Sequence, residues 1–238
     1  MTFELRDPPL PGFSRFWALK SHGKALTMLR RMEHEIISDL HLTGDVLDFG
    51  GGQITSYSRL LPPGPKMRSV NISTQFNPTD LIEVGAPLPF DDAHFDAVIS
   101  FNVFEHIQDD FGSLTEVTRV LKPGGALHVI VPWIYPVHGH PDDFHRHTPS
   151  WWFATLLELG YADGSLLPLV FGRRTSALMI KGRGDKAIRG LNEFIAATLD
   201  IAEARLRFKG QNQYTGRRGE TVWSSAPGWY IQAKKSIV

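Results

Sequence analysis

Short apolar runs alternate along this chain with longer segments in which apolar residues recur every three or four positions. The runs are short and apolar, as expected of parallel strands that are covered on both faces. We therefore expect most strands to lie parallel in one sheet, with helices on both of its faces. The predicted strands are residues 45–49, 67–72, 81–84, 95–100, 126–131, 165–170 and 229–234.

The segments with helical spacing predict an N-terminal helix and further helices between the strands. One helix has well-defined ends, because Thr148 suits the N-cap, Pro149 suits the first helical position, and Gly160 suits the C-terminal stop. The predicted helices are residues 17–40, 53–61, 111–121, 149–160 and 185–209.

Strands that alternate with helices indicate the α/β class. We predict a Rossmann-like, doubly wound, seven-stranded and mostly parallel sheet with helices on both faces and an N-terminal helical cap. The chain has 238 residues, of which 42% are hydrophobic, so it can bury one large core. We expect a single domain that spans residues 1–238.

The charge balance limits the partners of this protein. Lys and Arg together number 25, as do Asp and Glu, so the formal net charge is zero. A neutral chain is not attracted as a whole to nucleic acid or to an anionic membrane, and we expect neither as a partner. A small-molecule substrate fits this composition better.

The chain contains no cysteine, which excludes disulfides, thiolate metal ligands and a cysteine nucleophile. This composition is compatible with a reducing compartment. The N-terminus lacks the basic and apolar pattern of a signal peptide, and the longest apolar stretch, near 126–137, is too short to span a bilayer. We therefore expect a cytoplasmic protein.

A glycine-rich turn follows the first predicted strand. Gly50, Gly51 and Gly52 remove every Cβ from this turn, so the backbone can adopt positive φ and a ligand can lie against the main chain. Asp48 is expected to face that ligand. The dinucleotide fingerprint Gly-x-Gly-x-x-Gly is incomplete, because Thr55 stands at its third glycine position. The turn therefore favours a nucleotide-type cofactor other than NAD.

Three sequence blocks resemble one known family. Asp48, Gly50 and Gly52 match motif I (Asp-x-Gly-x-Gly) of the class I S-adenosylmethionine-dependent methyltransferases. Residues 87–107 resemble the "LPF…FDxV…LEH" block of the type 11 methyltransferase subgroup, and residues 119–125 complete the pattern in family order. The resemblance implies the class I fold, S-adenosylmethionine as the cofactor, and methyl transfer as the activity.

The resemblance also divides the predicted domain into three parts. These are an N-terminal cap (1–43), a cofactor-binding core (44–132) and an acceptor-side region (133–238). The implied cofactor-binding residues are Asp48, Gly50, Gly51, Gly52, Asn71, Ile72, Ser100, Phe101, Asn102 and His106.

Two positions depart from the family pattern. Asn71 ends the second predicted strand, where the family usually places an acidic residue on the ribose hydroxyls. Its amide can accept and donate hydrogen bonds, but these are weaker than the bonds of a carboxylate. Ile54 replaces the last glycine of motif I. These departures keep open a second interpretation, a homologue that binds the cofactor without catalysis.

A second dense feature follows the fifth predicted strand, where four histidines and two aspartates lie within residues 138–147. The segment resembles the "H…P.D..R.T" stretch of the methyltransferase subgroup, which would place it on the acceptor side. We predict that His138, His140 or His145 removes a proton from the acceptor, since histidine titrates near neutral pH. The alternative is a polar network in which these histidines and neighbouring charged residues fasten the loop to the next helix.

The same segment also suggests a metal cluster, with weaker support. Neither the pair His138 and His140 nor the pair His145 and His147 has the spacing of a metalloenzyme motif such as His-Glu-x-x-His. We predict no metal ligand here and keep a metal-dependent enzyme that uses this loop as the third interpretation.

The sequence thus predicts S-adenosylmethionine-dependent methyl transfer to a small-molecule acceptor. The acceptor attacks the sulfonium methyl in line, and S-adenosylhomocysteine leaves as a neutral thioether. The protein needs mainly to align the two molecules and to exclude water. We favour an oxygen nucleophile over nitrogen or carbon. The sequence specifies neither the identity of the acceptor nor the oligomeric state.

Overall fold

An eight-stranded sheet forms the centre of the computed structural model, which describes residues 2–23, 25–139, 142–181 and 186–237. The strands are β1 (Thr2–Leu5), β2 (Asp45–Phe49), β3 (Lys66–Asn71), β4 (Asp80–Leu81), β5 (Phe95–Phe101), β6 (Leu121–Pro132), β7 (Tyr161–Leu169) and β8 (Gly228–Lys235). Their order is β1-β7-β8-β6-β5-β2-β3-β4. The sheet is mostly parallel, since β8 alone runs antiparallel to its neighbours β6 and β7.

Seven α-helices lie in the described ranges. They are α1 (Phe13–Ser21), α2 (Met28–Ser38), α3 (Asp110–Val120), α4 (Pro149–Glu158), α5 (Arg173–Ile180), α6 (Lys186–Arg207) and α7 (Gly216–Trp223). Within those ranges, none of the helices is long and apolar enough to cross a membrane.

Two hydrophobic clusters lie on opposite faces of the sheet. One contains Leu47 and Val98 together with side chains of α3 and α4, and the other contains Val46 and Ile99 together with side chains of α1 and α2. Neighbouring residues of a strand point to opposite faces, so β2 and β5 are buried on both faces. The predicted Rossmann-like α/β architecture, with helices on both faces and an N-terminal helical cap, is confirmed.

The sheet has one strand more than the predicted seven. β1 extends the sheet at one edge, where Thr2 pairs with Asp163 and Leu5 pairs with Leu166 in parallel register. The sequence analysis missed β1 because the strand has four residues and its side chains alternate between exposed and half-buried, without an apolar run.

The predicted helix at 17–40 is wrong, because the chain forms two helices, α1 and α2, in this region. Gly23 lies between them with a φ of 153°, a value that L side chains rarely adopt. Thr27 then caps α2, since its side-chain oxygen accepts a hydrogen bond from the backbone N–H of Arg30 at 3.2 Å. A left-handed glycine and a new N-cap therefore end one helix and begin another.

The predicted helix at 53–61 is also wrong, because the structure shows only a short 3-10 turn there. The backbone N–H of Ile54 donates to the carbonyl oxygen of Phe76 at 3.2 Å, so the chain is drawn towards the segment after β3. The hydroxyl of Ser58 donates to the carbonyl oxygen of Thr55 at 3.0 Å. Serine and threonine side chains compete with the helical backbone for hydrogen bonds, which the apolar spacing does not reveal.

The direction of chain progression across the sheet reverses between β2 and β5. From β2, the chain continues through β3 and β4 towards one edge, whereas β5 and β6 lie on the other side of β2. Ligands of open α/β sheets bind outside the carboxyl ends of the strands at such a reversal. The glycine turn after β2 and the segments after β5 and β6 therefore meet at the expected place for a functional site.

Candidate functional site

The glycine turn directly after β2 is shaped by close contacts of its backbone. Gly50 has a φ of 80°, and a Cβ at this residue would lie 2.4 Å from a methyl carbon of Val103. A Cβ on Gly52 would lie 2.2 Å from the carbonyl oxygen of Phe76. The turn itself therefore requires glycine at both positions.

Asp48 lies beside this turn and is bonded to a residue that the sequence analysis missed. The hydroxyl of Tyr57 donates to Oδ1 of Asp48 at 2.9 Å. Burial raises the pKa of Asp48 to about 7, although the hydrogen bonds from Tyr57 and from the backbone of Gly52 oppose this rise. A Cβ on Gly51 would lie 1.9 Å from Oδ2 of Asp48, so the carboxyl fills the space next to the turn. No spacing in the sequence marks Tyr57 as the partner of Asp48.

The side-chain amide of Asn71 is committed to the glycine turn. Its Nδ2 donates to the carbonyl oxygens of Gly50 at 2.7 Å and of Gly51 at 3.1 Å. Its Oδ1 accepts a hydrogen bond from the backbone N–H of Ser73 at 3.0 Å. Asn71 thus ties β3 to the turn, and its predicted contact with a ribose stays a prediction. Ile72, the next predicted cofactor residue, is exposed.

Ser100, Phe101 and Asn102 lie where β5 ends. Ser100 is completely buried, and its hydroxyl has no hydrogen-bond partner among the described residues. Phe101 packs edge-on against Tyr57, with ring centroids 5.1 Å apart. Asn102 has a left-handed backbone with a φ of 56°, and its side chain contacts the carboxyl of Glu33 on α2. The fold thus brings the predicted cofactor residues of β2, β3 and β5 to one edge of the sheet.

A cavity of about 890 Å³ adjoins the end of β5. It is lined by α2, α5, α6, the end of β6, Asn102, and part of residues 133–148, the segment after β6 that we call the histidine loop. Of the predicted site residues, Asn102 and His138 line this cavity. The sequence analysis missed the contributions of α2, α5 and α6, because the spacing of an amphipathic helix does not show which of its residues border a cavity.

Both carboxylates in the described lining of the cavity, Glu33 and Glu193, are paired with arginines. Arg30 and Glu33 of α2 form an ion pair at 2.8 Å. Burial raises the pKa of Glu33, although Arg30 and then Asn102 oppose this rise. Glu193 of α6 forms an ion pair with the buried Arg31. The cavity is therefore polar, with charges of both signs.

His138 is the predicted proton acceptor that reaches the cavity. Its Nδ1 lies 3.2 Å from the carbonyl oxygen of Pro136 and 3.4 Å from Oδ2 of Asp143. Carbonyl and carboxylate oxygens accept hydrogen bonds, so Nδ1 carries the proton and Nε2 keeps its lone pair. Burial lowers the pKa of His138, which keeps the imidazole neutral near pH 7.

His145 faces away from the described lining of the cavity. Its Nε2 lies 3.0 Å from the carbonyl oxygen of Gln108, and its ring stacks on His147 with centroids 5.0 Å apart. Nε2 of His147 lies 2.5 Å from Oδ2 of Asp110 at the start of α3. His140, the remaining predicted proton acceptor, lies outside the described residues. The structure thus places one of the two described candidates at the cavity.

Arg146 and Asp143 stabilise the histidine loop. The guanidinium of Arg146 donates to both carboxylate oxygens of Asp143, with a distance of 2.7 Å from Nη2 to Oδ2. Asp143 also accepts a hydrogen bond from the backbone N–H of His138 at 2.9 Å. Together with the contacts of His145 and His147, these bonds fit the alternative interpretation in which a polar network fastens the loop.

His106 lies in a 3-10 turn, Phe104–His106, after β5. Its Nδ1 is 2.5 Å from the carbonyl oxygen of Asp142, and its ring meets the ring of His138 with centroids 5.2 Å apart. His106 therefore faces the histidine loop, and its predicted contact with the cofactor stays a prediction.

Two groups of side chains have the geometry to hold a metal ion. Within each group, one potential ligand atom per residue lies within 4.8 Å of the others. The open group is Glu105, His106 and His138, and the closed group is Asp110, His145 and His147.

A glycine turn at a reversal of strand order, with a buried acidic residue and a polar cavity beside it, fits the class I S-adenosylmethionine-dependent methyltransferases. Residues 47–129 match the type 11 methyltransferase family model, whose description is "Methyltransferase domain". The similarity to that family lies in this segment, which is less than half of the chain. The match confirms the predicted class and its cofactor, S-adenosylmethionine.

Known relatives align with part of the chain. An "Uncharacterized methyltransferase" of Mycobacterium sp. (strain KMS) is 31% identical over 105 residues, which make up 40% of this chain and 42% of the relative. The chain thus spans less than half the length of this relative.

Solved structures with low sequence identity share the fold. A SAM-dependent methyltransferase from Thermotoga maritima has a TM-score of 0.53 and 13% identity, over 94% of this chain and 95% of that one. Haemonchus contortus phosphoethanolamine N-methyltransferase 2, solved with phosphomonomethylethanolamine and S-adenosylhomocysteine, has a TM-score of 0.51 and 15% identity. That match covers 95% of this chain and 53% of the other.

Proposed function

We propose that this protein transfers a methyl group from S-adenosylmethionine to a small-molecule acceptor, and that the acceptor binds in the cavity between α2, α5, α6 and the histidine loop. The position of the cavity carries the proposal. Asn102, at the end of β5, is a predicted cofactor residue and also lines the cavity. A molecule in the cavity can therefore approach the cofactor where β5 ends.

The residues at the ends of β2 and β5 fit the methionine part of the cofactor. The glycine turn lets the main chain lie directly against Asp48, which provides a buried carboxyl beside the turn. The buried hydroxyl of Ser100 has no hydrogen-bond partner in the described ranges, so a ligand atom could satisfy it. The bound cofactor supplies a methyl group on a positively charged sulfur. The protein then needs to hold the acceptor in line and exclude water.

The cavity suits a polar small molecule. Its volume of about 890 Å³ lies within the usual range of small-molecule sites, roughly 300–1,000 Å³. Glu33 and Glu193 on its lining are each paired with an arginine. A cationic acceptor would have to compete with these arginines for the carboxylates, whereas hydroxyl and amide groups could hydrogen-bond to the ion pairs.

An oxygen acceptor is favoured because its hydroxyl needs a base, and His138 can act as that base. A hydroxyl must lose its proton as its oxygen attacks the methyl carbon, and Nε2 of the neutral His138 can accept that proton. Nδ1 is held by the carbonyl oxygen of Pro136 at 3.2 Å, which fixes the tautomer. The lowered pKa of His138, caused by burial, keeps this base available at neutral pH.

Calorimetric titration with S-adenosylmethionine and S-adenosylhomocysteine tests the cofactor site, with NAD as the control ligand. Asp48→Asn keeps the shape of the side chain and removes its charge, and Asp163→Asn makes the same change on β7. We expect saturable binding of both sulfur ligands, at least about tenfold weaker binding in Asp48→Asn, and unchanged binding in Asp163→Asn.

The acceptor is then sought by measuring S-adenosylhomocysteine formation with pools of small hydroxyl compounds. Turnover with a hydroxyl compound supports the proposal. A folded protein that binds neither sulfur ligand contradicts it.

A second candidate is a cofactor-binding homologue without catalysis. One observation favours it: the amide of Asn71 is used by the glycine turn, and no carboxylate replaces it at the end of β3. This candidate predicts that the protein binds S-adenosylmethionine and forms no S-adenosylhomocysteine with acceptors of any class.

A further inference from the structure

We propose that the open group, Glu105, His106 and His138, binds a divalent transition-metal ion at the edge of the acceptor cavity. The three potential ligand atoms lie within 4.8 Å of one another, and Oε1 of Glu105 is 3.7 Å from Nε2 of His106. Two ligands of a tetrahedral ion, each at ~2.0–2.2 Å, lie about 3.4 Å apart. The separation of Glu105 and His106 is therefore close to the one that an ion would impose.

The buried carboxyl of Glu105 has no hydrogen-bond partner among the described residues, since Nε2 of His106 is 3.7 Å from Oε1. Glu105 is 2% exposed, and neither of its carboxyl oxygens has a hydrogen-bond partner from another residue in the described ranges. Its backbone is fixed, because its carbonyl oxygen accepts a hydrogen bond from the N–H of Phe144 at 2.7 Å. A buried carboxylate without a partner is costly, and a cation removes that cost.

The two histidines are each held at Nδ1 by a backbone carbonyl oxygen. Nδ1 of His106 lies 2.5 Å from the carbonyl oxygen of Asp142, and Nδ1 of His138 lies 3.2 Å from that of Pro136. Each carbonyl accepts a proton from Nδ1, which leaves the lone pair on Nε2. Metal-binding histidines usually show this pattern, in which one ring nitrogen is held by an oxygen and the other binds the ion.

The closed group also consists of one carboxylate and two histidines, but its potential ligand atoms are already used in contacts with other groups. Oδ2 of Asp110 already contacts Nε2 of His147 at 2.5 Å. Nε2 of His145 lies 3.0 Å from the carbonyl oxygen of Gln108, so this nitrogen carries the proton. The ring of His147 also stacks on Trp151, with centroids 3.4 Å apart. The side chains of the closed group satisfy one another, and we propose no ion there.

The ligand set indicates the class of ion. Two imidazole nitrogens and one carboxylate suit Zn²⁺, Mn²⁺, Fe²⁺ or Co²⁺, and three protein ligands leave coordination positions open. His138 lines the cavity, so an open position there could bind the acceptor hydroxyl. This use of the site rests on the proposed function.

With an ion bound, His138 would no longer remove the proton of the acceptor hydroxyl, and the ion would promote the loss of that proton instead. An ion-bound hydroxyl loses its proton to water more easily. Its oxygen then forms the bond to the methyl carbon, while the bond from that carbon to sulfur breaks and its electron pair stays on sulfur.

Titration of the chelator-treated, full-length protein with Co²⁺ and Zn²⁺ tests the site. Co²⁺ binding is followed by visible absorption and Zn²⁺ binding by calorimetry. We expect one equivalent of each ion, and at least about tenfold weaker binding in both Glu105→Gln and His138→Asn. His145→Asn is the matched control, since it makes the same change in the closed group and should keep the wild-type metal affinity.

Three results would overturn the proposal. These are no binding to the folded wild type, equal binding by wild type and both open-group variants, and loss of binding in His145→Asn. Circular dichroism identifies a variant that has unfolded, and His106→Asn then replaces it in the comparison. S-adenosylmethionine titration of the same samples separates the two proposals, because a protein without the metal site would still bind the cofactor.

Discussion

The glycine turn follows β2 and the histidine loop follows β6, on either side of β5, and the two are built in opposite ways. In the turn, a side chain holds the backbone, since the amide of Asn71 bonds to the carbonyl oxygens of Gly50 and Gly51. In the loop, the backbone holds side chains, since carbonyl oxygens fix the imidazoles of His106 and His138. The first region thus depends on a closely packed backbone, and the second offers imidazole nitrogens.

This difference determines whether a substitution in each region affects folding or chemistry. A backbone that packs against its neighbours tolerates no added Cβ, whatever the chemical nature of the new side chain. A histidine that acts through one nitrogen can be replaced by a residue of similar polarity with little effect on folding and a large effect on chemistry. Four substitutions test this comparison.

Gly52→Ala is expected to have the largest effect. Its Cβ would lie 2.2 Å from the carbonyl oxygen of Phe76, so the turn must move. We expect the free energy of unfolding in urea to fall by about 3 kcal/mol and S-adenosylmethionine affinity to fall at least about 100-fold. The control is Gly190→Ala in α6, where a Cβ meets no atom within 4 Å and should stabilise the helix slightly. Wild-type stability and affinity in Gly52→Ala would show that the turn does not need this close approach.

His138→Asn should act on chemistry rather than on folding. The variant loses Nε2 at the cavity, and we expect turnover to fall about 100-fold while S-adenosylmethionine affinity stays the same. Rates with an identified acceptor, together with calorimetry, measure this separation. His94→Asn, an exposed change before β5, is the control. If turnover and cofactor affinity fell in proportion, His138 would belong to the cofactor side instead.

Asp48→Asn tests the buried carboxyl of the glycine turn through pH. Its folded-state pKa of about 7 lies above the ordinary value of 3.8 for an aspartate, so the folded protein keeps a proton that the unfolded chain has released in this interval. The wild type should therefore lose stability relative to the variant as pH rises, by about 2 kcal/mol between about pH 5 and pH 7. Urea unfolding of both proteins at several pH values measures this change. A constant difference would mean that Asp48 is not held protonated.

Thr148→Ala should have the smallest effect. Thr148 caps α4 at the end of the histidine loop, where its hydroxyl oxygen accepts a hydrogen bond from the N–H of Trp151 at 3.4 Å. Loss of this cap should cost about 1 kcal/mol in urea unfolding, and Thr148→Ser should restore most of it. A larger loss in metal affinity than in stability would show that the cap also positions the open group.

The elements that the sequence predicted well are those with strong local signals. β2 has the predicted bounds, 45–49, because a short segment with three apolar residues leads directly into three glycines. The helix after Thr148 begins as predicted, because its cap and its first proline are adjacent in sequence. The error at 53–61 arose where a backbone group bonds to a residue that is distant in sequence, as Ile54 does with Phe76. The error at 17–40 arose at a local break, formed by Gly23 and the Thr27 cap.

The candidate site shows the same division. Glycine, aspartate and histidine could be assigned from residue type and family blocks. Tyr57, Glu33 and Glu193 could not, because each acquires its role by packing against a residue from another element. The distinction between the open and closed groups was also beyond the sequence, since both consist of one carboxylate and two histidines.

By itself, the sequence determined the methyltransferase class, the cofactor and the position of the glycine turn. These depend on short blocks of residues whose backbone requirements are local, such as a turn without Cβ atoms. The tertiary structure alone decided that Asn71 bonds to the turn, that His138 reaches the cavity, and that Glu105 is buried without a partner. Hydrogen bonding and burial depend on which segments contact one another. Those contacts are determined by the packing of the whole sheet rather than by any single segment.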